Sequence, residues 1–197
     1  MIAEIQHTLR IPFKAFSIGS VFRYERTQRG RSREHIQYNV DIFGESSAWA
    51  DAEVIEVAFD ALKKMGFQYT DFEVRLNDRA FMEEQLRAGG VPQEQLPALF
   101  RILDRREKMS EQEFHTQVNA ITPQPLENIL TDQSTSKRVT QVLSLLPKEI
   151  TARPDPHIIR GFDYYTGIVF EIFSLHDAAT KRSVAGCLLY TSPSPRD

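Results

Sequence analysis

FRYERTQRGRSREHIQYNVDIFG, residues 22–44, decides how this chain folds. Both of its ends alternate as strands do, and between them five arginines fall within the thirteen residues from Arg23 to His35. Read together with the residues before it, the stretch places Phe16, Ile18, Phe22 and Tyr24 on one face and Val21, Arg23 and Glu25 on the other. Further on, Ile36, Tyr38, Val40 and Ile42 oppose Gln37, Asn39, Asp41 and Phe43, which is the period of two that a pleated backbone imposes. The intervening RTQRGRSREH, with Gly30 near its middle, is too long and too charged for a simple turn. A β-hairpin with a basic loop is predicted.

Side chains two positions apart on a strand project from the same face, roughly 7 Å from one another along its axis. Arg23 and Glu25 therefore point together, as do Gln37, Asn39 and Asp41. If the strands pair, one face offers guanidinium, carboxylate and amide groups side by side. Such a face suits a ligand that carries both charges. The same pattern also describes a hairpin that shows mixed charge to water on both sides, with arginines that only keep an edge soluble.

The bulk composition frames this hairpin. With 197 residues, 41% hydrophobic and 26% charged, the chain reads as a globular protein of one domain with a subdomain. A formal net charge of -3 disfavours bulk nucleic-acid binding, so a polyanionic partner would have to meet the local arginine patch. Cys187 is the single cysteine and the five histidines show no metal-ligand spacing, so neither a disulfide framework nor a metal site is expected. No apolar run reaches the roughly 18 residues of a membrane span and the N-terminus has no signal-peptide pattern, which makes a reduced, cytoplasmic protein the expectation.

Beyond the hairpin, residues 46–65 carry Val54, Ile55, Ala58, Phe59, Leu62 and Met65 at helical spacing. Acidic residues occupy the early turns, Lys63 and Lys64 the last, and Gly66 the stop. FEVRLND, 72–78, is predicted to be a strand with Phe72, Val74 and Leu76 inward. Strand, helix and strand without a glycine-rich phosphate loop disfavour a dinucleotide-binding parallel sheet. From 79 to about 148 the pattern is helical. Leu96, Leu99, Phe100 and Leu103 form one stripe after Pro92 at a first turn, and Val139, Val142, Leu143 and Leu146 form another. SEQE at 110–113 offers a capping box. Residues 156–173, PHIIRGFDYYTGIVFEIF, return to strand composition with YTG as a bend, and CLLYTSPSPRD at the end loses all periodicity.

Residues 22–44 resemble motif 2 of the class II aminoacyl-tRNA synthetases, and within that class the histidyl-tRNA synthetases. IIRGFDYYTGIVFE, 158–171, resembles the histidine-binding signature of the same family. Two stretches in family order, more than 100 residues apart with a helical segment between them, extend the resemblance over residues 10–186. It implies an α+β fold in which an antiparallel sheet is flanked by helices, with a helical insertion. The implied organisation is a partial catalytic core with the motif 2 hairpin over 1–78, the insertion over 79–150, the core with the histidine-binding signature over 151–186, and a non-native tail over 187–197. The insertion is similar to the segment that approaches the tRNA acceptor stem in this family.

The resemblance also implies a reaction. The carboxylate of histidine attacks the α-phosphate of ATP, giving histidyl-adenylate and pyrophosphate, and the histidyl group then passes to the 3′ end of tRNA(His). ATP is thus a substrate, accompanied by Mg2+, and the family is homodimeric. Crowded negative charge on phosphorus calls for preorganised cations. Arg23 matches the arginine that holds the α-phosphate, Glu25 its neighbour near the nucleotide, and Arg31 a loop position that grips ATP. Arg160 matches a further arginine at the α-phosphate, where other class II enzymes place a metal, and with Arg23 it makes the implied catalytic pair. Gln37 and Asp41 match positions that bind the amino acid, an amide and a carboxylate suited to its ammonium group. Tyr164 and Tyr165 match the pair closing the side-chain pocket, and Arg160 borders the same substrate. Asp163, Glu171 and the histidines carry no assigned role.

Several positions depart from the family pattern. Thr27 replaces a usual proline, Ser32 a common aromatic residue and Ile36 a frequent histidine, none of them a named ligand. The family's motif 1, motif 3 and anticodon-binding domain have no counterpart, so the chain by itself is expected to be inactive. The rival within the fold is a histidine-binding regulatory paralogue, like the regulatory subunit of ATP phosphoribosyltransferase. Such a paralogue has little use for Arg23, Arg31 and Arg160 together. A basic hairpin that docks RNA without catalysis would leave RGFDYYTG unexplained.

Overall fold

The computed structural model describes residues 6–22, 24, 32–130, 135–159, 166–176 and 183–187. They fall into two compact units, 1–55 and 56–197, with the division inside a helix.

The first unit is organised by the hairpin. Strands β1 (Phe13–Phe22) and β2 (Glu34–Phe43) pair antiparallel along their whole length, from Phe13 opposite Phe43 to Phe22 opposite Glu34. In that register the alternation predicted from the sequence becomes two faces. Phe16, Ile18 and Ser20 meet Val40, Tyr38 and Ile36 on one; Ala15, Ser17 and Gly19 meet Asp41, Asn39 and Gln37 on the other. At the open end the rings of Phe13 and Phe43 stack at 6.2 Å. Lys14 Nζ pairs with Glu53 Oε1 at 2.5 Å and stands 5.3 Å from the centre of the Trp49 ring, both partners belonging to the start of helix α1 (Ala48–Lys64). The helix ends where expected, because Gly66 adopts φ of +101°, a left-handed conformation costly for other residues.

The second unit holds a four-stranded sheet in the order β4, β3, β5, β6, formed by β3 (Phe72–Asp78), β4 (Thr151–Pro154), β5 (Ile168–Ser174) and β6 (Ser183–Gly186). β5 runs antiparallel to both β3 and β6, while β4 lies parallel to β3 with Glu73 opposite Thr151. The sheet is therefore mixed rather than wholly antiparallel. Phe72, Val74 and Leu76 are buried as predicted, and Ile172 is buried opposite Val74. Phe59 of α1 meets Phe72 edge to face at 6.5 Å.

Among the described residues, five helices lie between β3 and β4: α2 (Arg79–Ala88), α3 (Leu96–Asp104), α4 (Glu111–Asn119), α5 (Leu126–Ile129) and α6 (Lys137–Leu145). The stripe Leu96, Leu99, Phe100 and Leu103 closes with Met82, Leu86, Phe114, Val118 and Ile129 into one apolar core. Local chemistry starts three of these helices. Asp78 accepts from the N–H groups of Ala80 and Phe81, Ser110 from that of Glu113 at 3.2 Å, and Ser136 from that of Val139 at 3.1 Å. Pro92, expected in a first helical turn, precedes a short 3-10 turn over Gln93–Gln95; the proline in the first turn of α3 is Pro97. Among the described residues of the strand expected over 156–173, 156–159 are not strand, since Pro156 supplies no N–H and Asp155 turns the chain by accepting from the His157 N–H at 2.9 Å, and β5 covers Ile168–Ser174; residues 160–165 lie outside the described residues.

Candidate active site

The polar face of the hairpin is where the sequence places ligand-binding groups. Gln37, Asn39 and Asp41 follow one another along β2 at the two-residue spacing, so Gln37 and Asp41 are roughly 13 Å apart along the strand. Opposite them stand Gly19, Ser17 and Ala15, three small residues of β1. Long polar groups on one strand thus face a low floor on the other. Despite their polarity, Gln37, Asn39 and Asp41 are all half-buried. Burial raises the pKa of the Asp41 carboxyl above its ordinary value of 3.8, because taking the group from water disfavours its charged form.

The other face is reversed in character. Phe16, Ile18, Phe22 and Ile36 are 65–75% exposed, and Tyr38, which meets Phe16 edge to face at 6.2 Å, is 41% exposed. Of the predicted site residues, Gln37 and Asp41 are brought to one face by the β2 register. Arg23, Glu25, Arg31, Arg160, Tyr164 and Tyr165 lie outside the described residues, as do Asp163 and most of the final CLLYTSPSPRD.

Residues flanking the second signature are nevertheless placed. The end of β3 and the start of α2 hold the chain on both sides of residues 160–165: Asn77 Nδ2 donates to the carbonyls of Pro156 at 3.3 Å and Ile158 at 3.1 Å, and the Arg79 N–H donates to the Gly167 carbonyl at 2.9 Å. Asp155 adds a second anchor. Its N–H donates to the Leu76 carbonyl at 2.8 Å, and its Oδ2 lies 3.2 Å from Arg153 and 3.6 Å from Arg75. Glu73 bonds Arg75 at 2.6 Å and lies 3.3 Å from Arg153, completing a square of two guanidinium and two carboxylate groups on neighbouring strands. Sequence reasoning missed Asn77 and Asp155. Their only local signal is a polar residue at a strand end, which many loops share.

Among the described residues, no group of three or more His, Cys, Asp or Glu could hold a metal ion, and no helix is long and apolar enough to cross a membrane.

Comparison with known proteins extends these observations over nearly the whole chain. The family model described as histidyl-tRNA synthetase matches residues 1–185. The histidine--tRNA ligase of Leptospira biflexa serovar Patoc is 31% identical over 208 aligned positions, covering 94% of this chain and 47% of that protein. That of Picrophilus torridus is 34% identical, over 85% of this chain and 44% of its own length. The chain therefore spans about half the length of the curated relatives it matches. Among solved structures, histidyl-tRNA synthetase from Nostoc sp. PCC 7120 superposes with a TM-score of 0.73 at 21% identity, over 94% of this chain and 49% of that one. A structure described as an ATP phosphoribosyltransferase regulatory subunit/histidyl-tRNA synthetase from Bacillus halodurans C gives 0.64 at 19% identity, over 89% and 51%. At these identities the structural likeness concerns the fold.

Proposed function

Because this chain belongs to the histidyl-tRNA synthetase family, we propose that it is part of the catalytic domain of an enzyme that activates histidine with ATP and charges tRNA(His). The single observation that carries the reading is the polar face of the hairpin. There an amide and a half-buried acid, both matching the family's amino-acid-binding positions, stand over small residues that leave room for a ligand.

In this reading the Asp41 carboxylate pairs with the α-ammonium of histidine, and Gln37 fixes the orientation of the amino acid by hydrogen bonding. Tyr164 and Tyr165 close on the imidazole, a site built for hydrogen bonds that rejects analogues lacking the partner. Arg23 and Arg160 neutralise the α-phosphate as the carboxylate oxygen attacks it; an O–P bond forms, the bond to pyrophosphate breaks, and the electron pair leaves with pyrophosphate. Glu25 and Arg31 hold the nucleotide. A guanidinium fork suits these phosphate roles because it stays charged and binds two oxygens at once. Mg2+ would arrive on the phosphates of ATP and is assigned no ligand from the described residues. Residues 1–78 and 151–186 supply the core of this chemistry, and 79–150 form the insertion that faces the acceptor stem. The enzyme works as a soluble homodimer in the cytoplasm.

The regulatory reading is kept because a structure described partly in those terms shares the fold. The two part over ATP. Calorimetric titration of the chain with L-histidine and with Mg-ATP should show binding of both, and Arg23→Ala should weaken the nucleotide alone. Histidine binding with no ATP binding would favour the regulatory paralogue, and binding of neither would refute both.

A further inference from the structure

Gly19 lies in the middle of a ten-residue strand, where glycine weakens a sheet by its backbone freedom and its lack of a side chain to pack. Two structural reasons commonly explain such a residue. One is a backbone conformation that other residues avoid; Gly19 has none, since positive φ occurs at Gly44, Gly66 and Gly90. The other is a neighbour that leaves no room, and a Cβ built on Gly19 meets no atom within 4 Å. Neither backbone geometry nor packing among the described residues calls for glycine here.

The position of Gly19 supplies a third reason. It is directly opposite Gln37, on the face that also carries Asn39 and Asp41, so a side chain at residue 19 would enter the space beside the Gln37 amide. We infer that Gly19 is a specificity-determining residue, whose missing side chain makes the room in which an amino acid held by Gln37 and Asp41 lies against the strand. The inference rests on the assignment of Gln37 and Asp41 to the amino-acid substrate. It adds a steric limit to that hydrogen-bonded site: the ligand's body occupies the volume that a Cβ and its branches would fill. Ala15 and Ser17 continue the same low floor towards Asp41. Because the cost falls on the ligand and not on the fold, stability and binding should move in opposite directions.

Three variants of the full 197-residue chain test this, Gly19→Ala, Gly19→Val and, from the opposite face of the same strand, Ser20→Ala, each followed by thermal unfolding and by calorimetric titration with L-histidine. Gly19→Ala should unfold at the same or a higher temperature and bind histidine about tenfold more weakly, a change of about 1.4 kcal/mol. Gly19→Val should weaken binding further, and Ser20→Ala should leave it unchanged. Gln37→Ala and Asp41→Asn are titrated alongside. If they lose binding while folded Gly19→Ala and Gly19→Val keep wild-type affinity, the steric role of Gly19 is overturned and the site assignment stands. If Gln37→Ala and Asp41→Asn also bind normally, the site assignment fails and the inference falls with it. Should Gly19→Val not fold, Gly19→Ala alone decides.

Discussion

β1 and β3 are both read from the sequence as alternating strands, yet their apolar faces meet opposite fates. Phe72, Val74 and Leu76 of β3 are at most 3% exposed, whereas Phe16, Ile18 and Phe22 of β1 are 65–73% exposed. On the hairpin, Gln37, Asn39 and Asp41 of the polar side are half-buried, as are Val40 and Ile42 on the apolar side. Alternation fixes which residues share a face; whether that face is covered depends on elements far away in sequence. For β3 those elements are β5, α1 and the helices that follow.

The sharpest break between the two strands should come from truncating equivalent apolar side chains. Leu76→Ala is expected to cost about 2–5 kcal/mol of stability in urea unfolding, because it empties a fully buried site. Ile18→Ala, removing a similar volume from an exposed face, is the other end of the same comparison.

Next in size is Asp41→Asn, which probes the polar face. If Asp41 holds the ammonium of histidine as proposed, removing its charge should weaken histidine binding by about 1.5–3 kcal/mol. The pH dependence has a defined sign. The folded pKa of Asp41 is raised above 3.8, so ionising the group costs the fold stability as pH rises past the unfolded value. Asp41→Asn should therefore match the wild type below that value and become the more stable protein towards neutral pH. For the ligand the order reverses. The affinity advantage of the wild type over the variant should disappear as pH falls through the raised pKa, and titrations across that range check it.

Asn77→Ala should cost about 1–3 kcal/mol, since it removes a donor shared by two carbonyls and leaves half-buried acceptors unmet. Hydrogen exchange should rise first at His157 to Ile159, the chain just before the signature. Smallest of all is Ile18→Ala, expected to stay within about 0.5 kcal/mol of the wild type in the same unfolding assay. A loss as large as that of Leu76→Ala would mean that the hairpin face is covered after all.

Strongly periodic segments were legible without a structure. The hairpin, α1, β3 and the Leu96 to Leu103 stripe each repeat one period long enough to name the element and its inner face. β4 and β6 were not. TARP and SVAG are four residues each, too short to show a period, and they become strands only because β3 and β5 offer free edges. The parallel pairing of β4 with β3 joins residues more than 70 positions apart, with the helical segment between them. At the candidate site, spacing put Gln37, Asn39 and Asp41 on one face, and the resemblance gave Gln37 and Asp41 their roles. What faces them could not be read, because the opposite residue depends on register. The pairing of Gly19 with Gln37 reveals a strand glycine that neither its backbone conformation nor packing among the described residues requires.

The most direct test of this assignment is a crystal structure of the chain grown with L-histidine. The expected result is the amino acid lying along β2, its ammonium within hydrogen-bond reach of Asp41 and its body over Gly19 and Ser17. Histidine bound elsewhere, with Gln37 and Asp41 facing only water, would contradict it.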